Sequence, residues 1–205
     1  NPELTISYTG FVNDETVEAL DELPVAATVA TAASGVGEYD ITLSGGVDGN
    51  YVFDRVAGTL TVTPAALVAT ADDANRAYGA GNPEFTGSFT GAVEGDNLGV
   101  SYTTTATATS AVGTYEIVPT ITDPDEKLPN YSVTLNHGTL TVNKAVIVAT
   151  AADQSRAYGV ANPEFTIAYT GFVNDETVEA LDELPVAATE ATAASAVGGH
   201  DITVS

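Results

Sequence analysis

Apolar and polar positions alternate at period two through most of the chain, as expected where successive side chains of a half-buried β-strand point to opposite faces. Leu4, Ile6 and Tyr8 alternate with Thr5, Ser7 and Thr9, and Tyr39, Ile41 and Leu43 share one face of a second stretch. A third covers residues 51–62, with Leu60 and Val62 inward and Thr59 and Thr61 outward, and an Ala/Thr-rich fourth covers residues 25–32. Residues 65–79 predict a fifth strand, in which Leu67 and Val68 are both apolar, as in a strand covered on two faces. Gly35, Gly37, Gly45, Gly46 and Gly49 mark the turns. One stretch leaves the period: residues 13–23, NDETVEALDEL, predict a short helix capped by Asn13 or Asp14. It has an acidic first turn, Val17, Leu20 and Leu23 on one face, and Pro24 as its stop. Its counterpart EGDNLGV permits a turn of helix at most, because of Gly95 and Gly99.

These elements recur. Asn1-Pro2-Glu3 returns as Asn82-Pro83-Glu84 and Asn162-Pro163-Glu164, Ala77-Tyr78-Gly79 as Ala157-Tyr158-Gly159, and Asn50-Tyr51 as Asn130-Tyr131. The Gly-Thr-Leu-Thr-Val at residues 58–62 returns at 138–142. The landmarks step by 80 or 81 residues, so the unit is a module of about that length. The boundaries are residues 1–63 for a module lacking its first strand, 65–143 for a complete one and 145–205 for one lacking its last strands. Residues 1–44 and 162–205 differ at seven positions only, namely 4, 7, 29, 35, 38, 39 and 43, and both differ far more from the middle copy. The arrangement is A-B-A, with a super-repeat of 161 residues, and reads as a stretch of a longer array.

The predicted fold class is mostly β: a tandem array of small β-rich modules, each β-grasp-like with one short helix. An Ig-like β-sandwich is the alternative, since short strands with regular turn signals predict that as well. The joints TVTPAAL and TVNKAVI leave two or three residues between one strand and the next, without Gly or Ser, so the modules are expected end to end with little bending.

Composition narrows the function. Against five Lys plus Arg stand 28 Asp plus Glu, for a formal net charge of −23, which argues against nucleic-acid and anionic-membrane partners, whose affinity needs cationic side chains. No apolar run approaches the length that spans a bilayer, so no membrane insertion is expected in this segment. Cysteine is absent, which removes disulfides, thiol nucleophiles and thiolate metal sites. The two histidines, His137 and His200, fall at non-equivalent places and no Gly-x-Ser-x-Gly elbow accompanies them, so no catalytic site is expected and the chain reads as a non-enzyme.

No cofactor is expected, with calcium as the one candidate ligand. Its hard-oxygen donors would be Asp72 and Asp73, Asp153 at the equivalent module start, and Asp123 and Asp125 in the longer loop of the middle copy. Against it, no loop carries an alternating Asp/Asn ladder ending in Glu, and a solvated acidic surface accounts for the same residues. Lys144 beside Asn143 suggests a Lys–Asn crosslink, but Pro64 stands at its counterpart. The repeated tyrosines read as core or strand-pairing residues rather than a carbohydrate-stacking platform.

Taken in order, YG-x-x-NP-x-[FL], S-x-VG-x-Y-x-I, NY and GTLTV resemble the MBG domain of the YGX type, a mostly β module found in tandem in large bacterial surface adhesins and filamentous-haemagglutinin-like proteins. The resemblance covers the whole chain. The departures are His200 where the other copies have Tyr39 and Tyr115, and a loop four residues longer before Asn130. It implies an extracellular, bacterial cell-surface array; the expected partners are adjacent modules of the same chain, a second chain added head to tail on account of the incomplete terminal modules, or a surface receptor that the sequence does not name. The expected function is a structural stalk or fibre segment giving length, stiffness and solubility. The alternative is repeats that themselves bind glycan or protein; it is disfavoured because what recurs is Gly, Asn-Pro and apolar positions that specify the fold.

Overall fold

The period-two alternation becomes fourteen short β-strands in the computed structural model, which describes residues 1–205, with three 3-10 turns and no α-helix. The fold is mostly β, as expected. By density of contacts the chain forms two compact units, residues 1–69, 89–100 and 121–135 in one and residues 70–88, 101–120 and 136–205 in the other. The middle repeat contributes to both.

The first repeat holds β1 (Glu22–Thr28), β2 (Gly37–Val47) and β3 (Gly58–Val62), in the sheet order β1-β2-β3 with antiparallel pairing throughout. Tyr39 lies opposite Leu60, and Tyr39, Ile41 and Leu43 are half-buried while their neighbours are exposed, as the alternation predicts.

The middle repeat holds β4 (Ala65–Ala71), β5 (Ala74–Ala77), β6 (Gly87–Thr90), β7 (Gly99–Thr103), β8 (Gly113–Thr122), β9 (Tyr131–Asn136) and β10 (Gly138–Asn143). They form one sheet ordered β6-β4-β9 and a second ordered β5-β10-β8-β7. In the second, β10 runs antiparallel to β8, with Leu140 opposite Tyr115, and parallel to β5, with Leu140 opposite Ala74. The strands expected over 65–79 and 51–62 are each two strands, broken at Asp72-Asp73 and, in the middle copy, at His137. At these breaks the chain leaves one sheet for the other. The Asp72 N–H donates to Thr86 O at 2.9 Å and the Asp73 carboxylate accepts the Thr139 N–H at 2.7 Å. A β-carbon on Gly138 would overlap the carbonyls of Ala71 and Asp72, so only glycine lets the two strands pass here in the middle repeat.

The third repeat holds β11 (Val148–Ala151) paired with β12 (Ile167–Thr170), and β13 (Ala187–Ala188) paired with β14 (Thr203–Val204). In the first repeat, residues 4–9 and 51–57 are not strands despite their alternation. Their counterparts β6 and β9 flank β4, and residues 1–63 contain no strand equivalent to β4. Alternation marks a face, and a strand also needs a partner to bond.

The short helix expected over 13–23 is corrected to a single 3-10 turn, Val17–Ala19, repeated at Val178–Ala180. Asn13 and Asp14 do not cap it: both have positive φ, 55° and 57°, and two left-handed residues in succession cannot enter a right-handed helix. The cap is Thr16, whose side chain accepts the Glu18 N–H. Leu23 is 48 % exposed within β1, and Pro24, expected as a helix stop, is buried in the same strand.

The core is deepest in the middle repeat. Ile117, Leu140, Val142, Ala71 and Ala106 cluster there, with Tyr78, Phe85, Tyr102 and Tyr115 packed around them. A fully buried Leu or Ile side chain of this kind contributes about 1.5–3 kcal/mol. Leu60 and Val62, at the places of Leu140 and Val142, are half-buried.

Candidate functional site

Three of the five carboxylates considered for calcium are engaged in local structure. Asp72 Oδ2 accepts from Thr86 Oγ1 at 2.7 Å, Asp73 Oδ1 from the Thr139 N–H, and the two oxygens of Asp123 from the N–H groups of Lys127 and Leu128, each at 2.8 Å. Asp125 and Asp153 are exposed. No three His, Asp or Glu side chains come together in a group that could hold a metal ion. His137 pairs with Glu116 at 3.5 Å, and His200 lies elsewhere.

What the repeats do reproduce is a set of side-chain-to-backbone bonds. In a chain rich in carboxylates, the arginines bond to carbonyl oxygens. Arg76, 6 % exposed, donates from Nε to Asn82 Oδ1 at 2.7 Å, from Nη1 to Ala77 O at 3.0 Å and from Nη2 to Thr107 O. Asn82 Nδ2 in turn donates to Ala106 O at 2.7 Å. Arg156 and Asn162 repeat the arrangement on Ala157 O, Thr192 O and Ala191 O, and Asn1 Nδ2 makes the equivalent bond to Ala30 O at 2.6 Å. Ala77 O and Ala157 O apart, the backbone acceptors lie on one tight turn, fixed in each copy by a serine that takes the N–H of a threonine three residues earlier: Ser34 from Thr31, Ser110 from Thr107 and Ser195 from Thr192.

The tyrosines divide into three roles. Tyr39 and Tyr115 donate to the carbonyls of Gly35 and Ala111, four residues back, at 2.8 Å. His200 stands in their place and keeps the bond, Nε2 to Ala196 O at 3.0 Å; the carbonyl can only accept, so Nε2 carries the proton. Tyr51 donates to Glu15 Oε2 and accepts the Val12 N–H, with its ring edge-on to Phe11 at 5.6 Å. Tyr131 does the same with Asp96 and Val93. The bonded carboxylate raises the pKa of both phenols above the ordinary value, since ionisation would set two negative charges together. Asp48 is lowered by the Asn50 N–H foremost, and also by the N–H groups of Tyr51 and Asp21.

The third role joins repeats. The Tyr78 hydroxyl donates to Glu176 Oε1 at 2.7 Å, from the middle repeat to the third. At Gly79, with φ +81°, a β-carbon would overlap the side chain of Val173, so the valine of the third repeat fills the space over this glycine. A cleft of about 240 Å³ beside them is lined by Tyr78, Val112, Phe172, Val173 and Glu176, among others. Between the first and middle repeats, the Val36 N–H donates to Asn130 Oδ1 at 2.9 Å.

Sequence reasoning placed the tyrosines as structural but did not single out Arg76, Arg156, Glu176 or Asp96, and Glu15 drew notice only as one acidic residue beside Asp14. The Arg-to-Asn spacing of six, present in both copies that include this segment in a chain with few basic residues, was the available signal. The carboxylates carried none, because they are a small part of a large acidic population.

The family model for the MBG domain (YGX type) matches residues 1–61, 67–141 and 147–205. No curated protein and no solved structure matches the chain.

Proposed function

Since the chain belongs to the family of MBG domains of the YGX type, carried as three tandem copies, we propose that it is a structural segment of an extracellular bacterial adhesin or surface fibre, supplying length, stiffness and solubility to a stalk. MBG domains are typical of surface proteins. The observation that carries the reading is the direct bonding of one repeat to the next: Tyr78 to Glu176, Val173 over Gly79, and Val36 to Asn130. Side chains that fix a neighbour limit bending at a joint, which is what a stalk requires and an isolated binding module does not. The acidic surface adds solvation and mutual repulsion at the high density of a cell surface.

Amide ¹⁵N relaxation tests the stiffness. Residues 143–147, between the middle and third repeats, are expected to have order parameters near the ~0.85 of rigid backbone, and values below ~0.6 would overturn the reading. Glycan and host-matrix binding assays address the other role: robust binding by these repeats alone would make them the adhesive element.

A further inference from the structure

We propose that the outer strand of each A repeat, residues 22–28 and 183–189, is a docking edge for an extended, cationic segment of a partner protein. That segment sets apolar side chains beside Leu23 and Val25, or Leu184 and Val186, and its Lys or Arg residues against the carboxylates at the start of the strand. The inference does not rest on the stalk reading.

The strand is open in both copies. β1 pairs with β2 on one side and with no strand on the other, and β7, at its place in the middle repeat, is likewise the last strand of its sheet. Leu23 and Val25 are 48 % and 63 % exposed, and Leu184 and Val186 are 52 % and 64 % exposed. The middle repeat follows the first copy and precedes the third, so the two copies show this strand with a neighbour on either side, and neither neighbour covers it. The two copies also lack different strands, so their agreement places the opening in the module itself rather than at the ends of the chain.

Backbone groups face the opening as well. Val186 and Ser205 exchange both their backbone bonds, at 2.9 and 3.1 Å, so by the antiparallel alternation the N–H and C=O of Ala187 point away from β14. Val25 lies opposite Ser44 in the same register, which turns those of Ala26 outward. Pro24 has no N–H, so the ladder bonds on offer are those of Ala26 and Thr28. A strand added there puts alternate side chains beside Val25 on the exposed face.

The occupant's chemistry follows from what the A repeats carry here and the middle repeat does not. Thr28 and Thr104 each take the N–H of the residue two further on, an alignment that sets Asp21, Glu22, Leu23 and Val25 against Asn97, Leu98, Gly99 and Ser101. The A repeats thus add an apolar pair and two carboxylates at one edge, beside the exposed Glu18 of the preceding turn. Residues 1–63 hold ten acidic side chains and one basic, Arg55, which is bonded to the carbonyls of Gly45 and Gly46. A second copy of this chain brings the same charge and is repelled, as is any anionic ligand. A segment in which cationic and apolar residues alternate complements both features.

A soluble peptide of alternating Lys and Val, added to the ¹⁵N-labelled whole chain, is the probe. Saturable amide shifts are expected at residues 26–28 and 187–189, and none in Gly99–Thr103 of β7. Binding is expected to weaken several-fold from about 0.01 M to about 0.15 M salt, as the Debye length falls from ~30 Å to ~8 Å. The same peptide with Glu in place of Lys is expected not to bind. Ala26→Pro removes an N–H that β2 does not use, and Val25→Ser gives the first copy the side chain of Ser101. Each is expected to weaken the shifts at residues 26–28 several-fold while those at 187–189 persist as an internal control. No shift at either edge up to about 1 mM peptide, a Kd too weak to matter, would overturn the proposal. So would shifts spread alike over β7 and the acidic loops, equal binding of the Glu peptide, or binding unchanged in both variants. A mass of the chain alone that rises with concentration and stops rising in Ala26→Pro would give the edge to a second copy and overturn it too.

Discussion

Arg76 Nε donates to Asn82 Oδ1 at 2.7 Å, and Arg156 makes the same bond to Asn162 at 2.7 Å, so two copies of the module hold one guanidinium in one way. The difference is burial, since Arg76 is 6 % exposed and Arg156 is half-buried. Arg76→Met leaves Ala77 O, Thr107 O and Asn82 Oδ1 without their donor in a site water barely reaches. The expected loss is about 3 kcal/mol, with a smaller loss for Arg156→Met. Hydrogen exchange at the amides of β5 and β10 measures it, and equal losses from the two variants would contradict the burial argument.

Alkaline titration should find Tyr51 and Tyr131 ionising above the ordinary phenol value. In the folded chain Tyr51 and Tyr131 have pKa values raised by Glu15 and Asp96. Their contribution to stability is therefore fully present below the unfolded-state value of about 10 and is lost as pH rises through the higher folded value. Ultraviolet difference spectra are expected to show a late phenolate fraction that shrinks in Tyr51→Phe and again in the double variant with Tyr131→Phe. A late phenolate fraction that neither variant reduces would refute the assignment.

The order of motifs and the alternation made the repeat, the strand-rich class and the family legible before any coordinates. Leu140 and Val142 are buried, and Thr139 is exposed, just as the pattern at 59–62 implies. The helix over 13–23 was misread for a local reason. Asn13 and Asp14 are good helix caps and equally good left-handed turn residues, and the choice falls to the turn once Glu22 pairs with Val47 in a strand that takes Leu23 and Pro24. The breaks at Asp72-Asp73 and His137 were invisible because the alternation runs on while the pairing partner changes. Gly138 was the one trace of them, since its place between two crossing strands forbids a side chain.

His200→Tyr should stabilise the third repeat. Tyr39 and Tyr115 make the equivalent bond at 2.8 Å against 3.0 Å for His200, and a phenol ring covers more of the sheet than an imidazole. A gain of about 0.5–1 kcal/mol is expected from the added apolar area. It should be read as slower exchange of the amides of Ala187–Ala188 and Thr203–Val204, while the amides of β1–β3 stay unchanged. A loss of protection in the third repeat would show that the corner prefers the smaller ring.

Added salt should raise the melting temperature, and calcium should do so no more than a monovalent salt of equal ionic strength. A formal net charge of −23 opposes compaction, and this self-repulsion shortens in range from ~30 Å at 0.01 M to ~8 Å at 0.15 M ionic strength. Three of the five acidic residues that invite a calcium ion by sequence are otherwise committed, Asp72 to Thr86, Asp73 to Thr139, and Asp123 to Lys127 and Leu128, and the other two, Asp125 and Asp153, are exposed. A calcium ion takes six to eight oxygens, and no three acidic side chains meet to begin such a shell. Calorimetry across a calcium titration at constant ionic strength is therefore expected to give a flat melting temperature. A saturable rise that disappears in Asp72→Asn and Asp73→Asn would place an ion at the break between β4 and β5, where the chain passes from one sheet to the other.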